Sequence, residues 1–221
     1  MLLRLAALVL SFLFPGSLRA APSCVELRAK WENKYLRDFS LDQSQKIFTC
    51  PGGESSLALA FHDLETAGFT ADKEGYRPDF YGLVRDTVKA MNYDAACTHL
   101  AYAFEPEKKI TICPAYFEDT REGRASTLIH ETRHLDPDDP SHVACTGGQY
   151  KGNADACDDT FYDGAWLGSG FNADIYFLVW MNLDTSKSEL SHEVMQSEIN
   201  ALVPDRFNHV TAQQIRKWRG N

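Results

Sequence analysis

Five consecutive residues, His130-Glu131-Thr132-Arg133-His134, carry the side chains best suited to chemistry in this 221-residue chain. On a helix, positions i and i+4 share a face, so the two imidazoles can offer nitrogens to one metal ion. Neutral imidazole suits zinc, and two ligands fixed by one helical turn lose little entropy on binding. Glu131 sits beside the first ligand, where its carboxylate can act as general base toward a water that the metal acidifies to a pKa of about 7. The pattern predicts metal-assisted hydrolysis, with Glu131 as the catalytic residue and Zn2+ as the cofactor.

A catalytic zinc takes three protein ligands and keeps one position open. His142 lies eight residues beyond His134 in HLDPDDPSH, and a turn through Pro137-Asp-Asp-Pro140 can bring it back to the metal. Asp163 and Asp136 compete for the same place, although Asp136, two residues past His134, points away if the helix continues. The metal set is read as His130, His134 and His142, with Asp163 and Asp136 as alternatives to His142. Arg133 places a charge between the two histidines, where zinc peptidases usually carry uncharged residues.

The elements that must position these groups read as α+β. Val25 to Phe39 fits a helix face imperfectly, and Asp79 to Met91 reads as a second helix. Leu100 to Phe104 and Lys109 to Cys113 form a hairpin candidate, the second strand alternating with period two and stopped by Pro114. Arg124 to Leu135 carries the histidines on a helix. Residues 136–170, rich in Asp, Gly and Pro, read as a long excursion of the kind that usually has a function. Phe171 to Leu183 is apolar all round and should be a buried helix. Ser188 to Leu202 and Thr211 to Trp218 close the chain as amphipathic helices. Asp174, on the apolar helix, would be costly without a partner. It is read as hydrogen-bonding the far nitrogen of His130 or His134, or as a cap or structural salt bridge. Tyr162 and Tyr176 are candidates for oxyanion stabilisation or for plain core packing. The acidic run Asp155, Asp158, Asp159 and Asp163 reads as solvated loop in preference to a calcium site. His62, His99, His192 and His209 show no partner pattern.

Charge and cysteines bound the setting. The net charge is −9, opposite in sign to what a phosphate-backbone groove requires, so nucleic acid is excluded as a partner. Aromatic residues make up 12% and mean hydropathy is −0.34, which fits neither disorder nor a multi-span membrane protein. Met1 to Ala21 places Arg4 before an apolar run from Leu5 to Phe14, with small residues at Ala20 and Ala21. This is the layout of a cleaved signal peptide, and the run is too short to span a membrane. Export to the periplasm or outside the cell is expected, with no stable membrane insertion. All six cysteines fall after Ala21, as an oxidising compartment would favour. Sequential pairing, Cys24–Cys50, Cys97–Cys113 and Cys145–Cys157, is the expectation.

The stretches KITICPAYF, LIHETRH and FNADIYFLVW together resemble the zinc-peptidase core of the deuterolysin-type aspzincins. That family has a strand ending in Cys-Pro, then HExxH, then a helix opening near Asn-Ala-Asp-Ser-Tyr. The resemblance covers roughly residues 109–180 and implies a zincin-like metallopeptidase fold: a small sheet, an active-site helix and a helical C-terminal part. The family's third ligand comes from GTxxDxxYG, which is absent here; Asp163-Gly-Ala-Trp-Leu-Gly168 is an approximate echo. By analogy, Lys109–Cys113 would be the edge strand that pairs with extended substrate.

The chain is therefore read as a signal peptide, 1–21, followed by a single zincin-like metallopeptidase domain, 22–221. In that domain 22–95 is favoured as the upper lobe over a pro-region. The expected function is a secreted zinc endopeptidase acting on protein or peptide substrate. The rivals are a non-catalytic binding module with a structural metal or none, and a zinc amidase acting on cell-wall peptide. Oligomeric state is not legible.

Overall fold

In the computed structural model, the structure describes residues 22–41, 57–66, 79–162, 168–183 and 191–210. Helix α1 (Cys24–Lys30) opens on a capping box, in which Ser23 Oγ accepts from Glu26 N–H and Glu26 accepts from Ser23 N–H. It runs through a π-helical turn, Trp31–Tyr35, into the short α2 (Leu36–Asp38). That widened turn explains the imperfect face read in the sequence. Leu27 before it and Tyr35 at its end are both buried, while Val25 in the first turn of α1 stays exposed.

Strand β1 (Ser40–Leu41) follows, then α3 (Leu57–Thr66) and α4 (Phe80–Thr87), the latter capped by Asp79. The helix expected to run on to Met91 stops here. Val88 turns extended, and Ala90–Tyr93 is strand β2. Its pairing along the whole of β4 (Lys109–Ile112) outweighs the helical pattern of the segment. Strand β3 (Ala101–Phe104) and β4 form the expected hairpin, joined by a 3-10 turn at Glu105–Glu107 and by Lys108 in the left-handed region at φ 49°. The sheet order is β1-β2-β4-β3, parallel except for the antiparallel β3–β4 pair.

This order corrects one expectation. Lys109–Cys113 is not an edge: β4 lies between β2 and β3, with Ile110, Thr111 and Ile112 all buried. Thr111 mimics an outward polar residue in the sequence, but its hydroxyl donates to Asn92 Oδ1 at 2.8 Å inside the sheet. The edge on that side of the sheet is β3, whose alternate residues Tyr102 and Phe104 are exposed.

Helix α5 (Arg121–His134) carries the histidine motif and is buried along most of its length. Its N-terminus is capped by Thr120, whose hydroxyl accepts from Gly123 N–H at 2.8 Å. Arg121 Nε donates to Asp63 at 2.8 Å, tying α5 to α3. The long excursion that follows is closed by the Cys145–Cys157 disulfide and a Val143–Cys157 bridge. It leads into β5 (Asp158–Thr160), which pairs in parallel with β6 (Phe207–His209). Between them lie α6 (Gly170–Leu183) and α7 (His192–Asp205).

The core joins both halves. Phe39, Phe61, Tyr35 and Tyr81 cluster on one side, with Phe39 stacked on Phe61 at 4.7 Å. Phe80 of α4 meets Phe177 of α6 at 5.0 Å. Each such buried ring contributes about 2–3 kcal/mol. Strands β1 and β2 and helices α3 and α4 thus build the same sheet and core as the histidine helix.

Cys97–Cys113 and Cys145–Cys157 are both formed, as expected, and disulfides fit an oxidising compartment. The Cys24–Cys50 pairing, the Cys50 turn, the Thr211–Trp218 helix and the Met1–Ala21 signal segment lie outside the described residues. Among the described residues no helix is long and apolar enough to cross a membrane.

Candidate metal centre

One turn of α5 separates His130 from His134, and the two side chains lie on one face, with ring centroids 4.9 Å apart. His142 returns from the excursion to meet both. Its Nε2 is 3.1 Å from His130 Nε2 and 3.1 Å from His134 Nε2. The three residues form a group whose ligating atoms all lie within 4.8 Å of one another, so they could hold a metal ion.

The other nitrogen of each ring faces a carboxylate. His130 Nδ1 meets Asp174 Oδ2, His134 Nδ1 meets Asp139 Oδ2 and His142 Nδ1 meets Asp158 Oδ1, each at 2.8 Å. A carboxylate accepts, so each Nδ1–H donates and the ring's lone pair is left on Nε2. Three Nε2 atoms then converge, and their lone pairs repel one another unless a metal ion, or a proton shared between two rings, takes them. For nitrogen ligands about 2.0–2.1 Å from a tetrahedral zinc, the nitrogens would be about 3.3 Å apart. The observed 3.1 Å separations fit such an ion.

Electrostatics favour a ligand over an imidazolium at His130. Burial pushes its pKa down to about 3, so the ring is neutral. For His134 burial also works downward, but the Asp139 hydrogen bond and the Glu131 and Asp139 charges outweigh it and raise the ring. Burial pushes the Asp174 carboxyl up, opposed by the Ser126 hydroxyl, which donates to Oδ1 at 2.7 Å.

Packing holds the rings in place. Phe171 stacks on His142 at 4.6 Å and stands edge-on to His130 at 4.8 Å. At Gly170 only a hydrogen fits, because a Cβ there would come within 2.4 Å of His130 Nε2. Arg133, the unexpected charge inside the motif, is buried and turned away from the metal side. Its Nε donates to Gly168 O at 2.8 Å and its Nη2 to Asp138 O at 2.9 Å. Its Nη1 pairs with Asp136 at 2.8 Å, so Asp136 is engaged there and stands apart from the histidine cluster. Arg133 thereby clamps the loop that delivers His142. Asp163 lies outside the described residues.

Glu131 is buried, and the Ala103 backbone N–H of the edge strand β3 acts on its carboxyl electrostatically, working to lower its pKa. Burial raises its pKa above the usual carboxylate range, partly offset by His130 and His134. Glu131 and His130 border an open pocket of about 410 Å3 that runs toward the N-terminus of α5, where Asp119 and Glu198 line it. Neither Tyr162 nor Tyr176 lines that pocket: Tyr162 is exposed and Tyr176 packs on Phe80. Asp158 is spent on His142, and its second oxygen accepts from Asn172 N–H at 2.8 Å, which argues against the calcium reading of the acidic run.

Asp139 and Asp158 as imidazole partners, and His99, Glu198 and Arg206 as pocket residues, were not singled out in the sequence. The run of Asp after the motif was the one available signal for Asp139; the pocket residues had none.

Burial raises the Glu198 pKa to about 7, against the Thr120 hydroxyl that donates to it at 2.5 Å. A carboxyl raised in the fold from 4.5 contributes stability that is fully present below pH 4.5 and lost as pH rises through 7. Glu198→Gln should therefore flatten the fall in melting temperature between pH 5 and pH 8, by thermal melts of both chains. An unchanged pH dependence would refute this role.

Compared with known proteins, the chain matches no family model, no curated sequence and no solved structure.

Proposed function

We propose that this chain is an exported, metal-dependent peptide hydrolase of zincin-like architecture, with zinc on His130, His134 and His142 and Glu131 as general base. The observation that carries the reading is the convergence of three Nε2 atoms, each ring backed by its own carboxylate, beside a buried glutamate at the mouth of a pocket.

Neutral imidazoles in a three-nitrogen set are the donors that catalytic zinc sites use. A divalent cation held there supplies a Lewis acid that activates water near neutral pH and polarises the carbonyl under attack. The chain's own residues do the rest. Asp174, Asp139 and Asp158 fix the tautomer and orientation of the three rings. Glu131 takes the proton from the attacking water onto its carboxylate and gives it to the departing amine as the C–N bond breaks.

The edge strand supports a peptide as substrate. In an antiparallel pair, N–H and C=O of one residue point the same way. Cys113 N–H donates to Leu100 O at 3.0 Å, so the bonded positions of β3 in this pair are the even-numbered ones, and Ala101 and Ala103 turn their N–H and C=O away from β4 toward the open edge. An extended peptide can add there as a further strand.

The test is metal analysis of the purified chain together with hydrolysis of casein and a mixed peptide library. One zinc per chain, turnover that a chelator stops, and recovery on adding zinc are expected. A fully metal-loaded chain that cleaves nothing would sink the reading.

A further inference from the structure

The pocket beside His130 and Glu131 holds a cation with no counter-ion among the described residues. Arg206 caps the C-terminus of α7 and lines the same pocket. Its guanidinium lies over the Tyr150 ring, 3.4 Å from the centroid, and 4.5 Å from that of Phe171. Its Nη1 donates to Ala156 O at 3.0 Å. Two aromatic rings and one carbonyl therefore hold the planar fork in a fixed plane. Among the described residues no carboxylate lies within ion-pair distance of it. The two acids whose charge acts on it are engaged elsewhere: Asp205 accepts from Gln149 N–H, and Asp174 binds Ser126 and His130.

A half-buried guanidinium with no carboxylate partner keeps N–H donors free for an anion that enters the pocket. Guanidinium with its plane pre-set is the group best matched to a carboxylate, which it can grip through two parallel N–H donors. The place is also suited to a substrate. Phe171 touches Arg206 on one side and stacks on His142 at 4.6 Å on another, so the fork sits one ring away from the metal ligands. Extended chain advances about 3.3 Å per residue, so a peptide reaches that fork within about three residues of the scissile bond. Of the pocket's four acids, Glu131 and Asp174 stand beside His130, and Asp119 and Glu198 lie toward the N-terminus of α5. Glu198 is eight residues before Arg206, about 12 Å along the helix axis.

We infer that Arg206 is the specificity anchor of this site, binding a carboxylate of the bound peptide, either its C-terminus or an acidic side chain. The inference rests on the peptide-hydrolase reading for the identity of the ligand.

Two matched peptide pairs test it on the full metal-loaded chain. One pair differs only in a C-terminal acid or amide; the other differs only in an internal Glu or Gln. Affinity is measured by calorimetry on the Glu131→Gln chain, which binds without turnover, and kcat and KM are measured on the unaltered chain. One carboxylate-bearing member should bind at least about 10-fold tighter than its neutral twin, the effect appearing in KM. The pair that shows it names the source. Arg206→Gln should bring that ratio close to one, and Arg206→Lys should restore part of it, with metal content and melting temperature checked in both. Equal binding of both members of both pairs overturns the inference even if Arg206→Gln fails to fold, because that comparison uses Arg206 itself. Discrimination without any hydrolysis would sink the hydrolase reading and leave the anchor standing. Hydrolysis without discrimination would do the reverse.

Discussion

Glu131→Gln is expected to keep one metal ion per chain and to lower peptide hydrolysis by about 10^2- to 10^4-fold, the range that a positioned general base contributes. Gln has the same shape, so it fills the same buried site beside β3. What it cannot do is take a proton. The three ligating nitrogens belong to other residues, so metal content should not fall. Nor should the fold suffer. Burial raises the Glu131 pKa, so its ionised form is held at a cost that a neutral amide does not carry. The melting temperature of the variant should equal or exceed that of the unaltered chain. Glu131→Asp makes a useful companion, since it keeps the charge but withdraws it by one methylene, and it should lose activity for reasons of reach. The measurements are metal stoichiometry and kcat/KM on a fluorogenic peptide. Undiminished turnover in Glu131→Gln would remove the general base from the mechanism. Loss of metal would make Glu131 a ligand instead.

How far the site was legible follows from where each residue's position is decided. His130, Glu131 and His134 sit on one helical turn, so local periodicity alone places their side chains together. Asp174 was legible as a problem, because a carboxylate on an apolar helix needs a partner; the structure supplies His130 Nδ1 and the Ser126 hydroxyl. His142 was one of three options, since a proline-bounded turn permits its return but does not dictate it. What dictates it is Arg133 holding Asp136 and the Asp138 carbonyl, together with the Cys145–Cys157 closure, and both are tertiary. Asp139 and Asp158 are set by that same loop. Arg206 and Glu198 come from a helix that the sequence pattern marks only as amphipathic, more than sixty residues beyond the motif. The hairpin was read correctly, because alternation and a proline stop are local signals. Strand β2 was missed because its extended state comes from pairing with β4, which a window over Asp79–Met91 cannot see.

Replacing His142 should show that the third ligand is the one the loop delivers. His142→Ala is expected to lower zinc affinity by more than the about 10- to 100-fold that loss of an outer hydrogen-bond partner costs. Asp158→Asn should fall within that smaller range. The ordering follows from the contacts. His142 Nε2 is one of the three convergent nitrogens, whereas Asp158 acts through His142 Nδ1 at 2.8 Å. In Asp158→Asn the side chain stays the same size, and one oxygen can still accept from either His142 Nδ1–H or Asn172 N–H, but not from both. The ring loses its fixed tautomer while the loop stays in place. A structural effect is separable from a metal effect because a ligand that binds only the folded chain raises its stability in proportion to the logarithm of saturation. Zinc should therefore raise the melting temperature of the unaltered chain strongly, that of Asp158→Asn less, and that of His142→Ala least. Melts without metal give each variant's own fold cost. If His142→Ala binds zinc as tightly as the unaltered chain, the third ligand lies elsewhere and Asp163 becomes the first residue to replace.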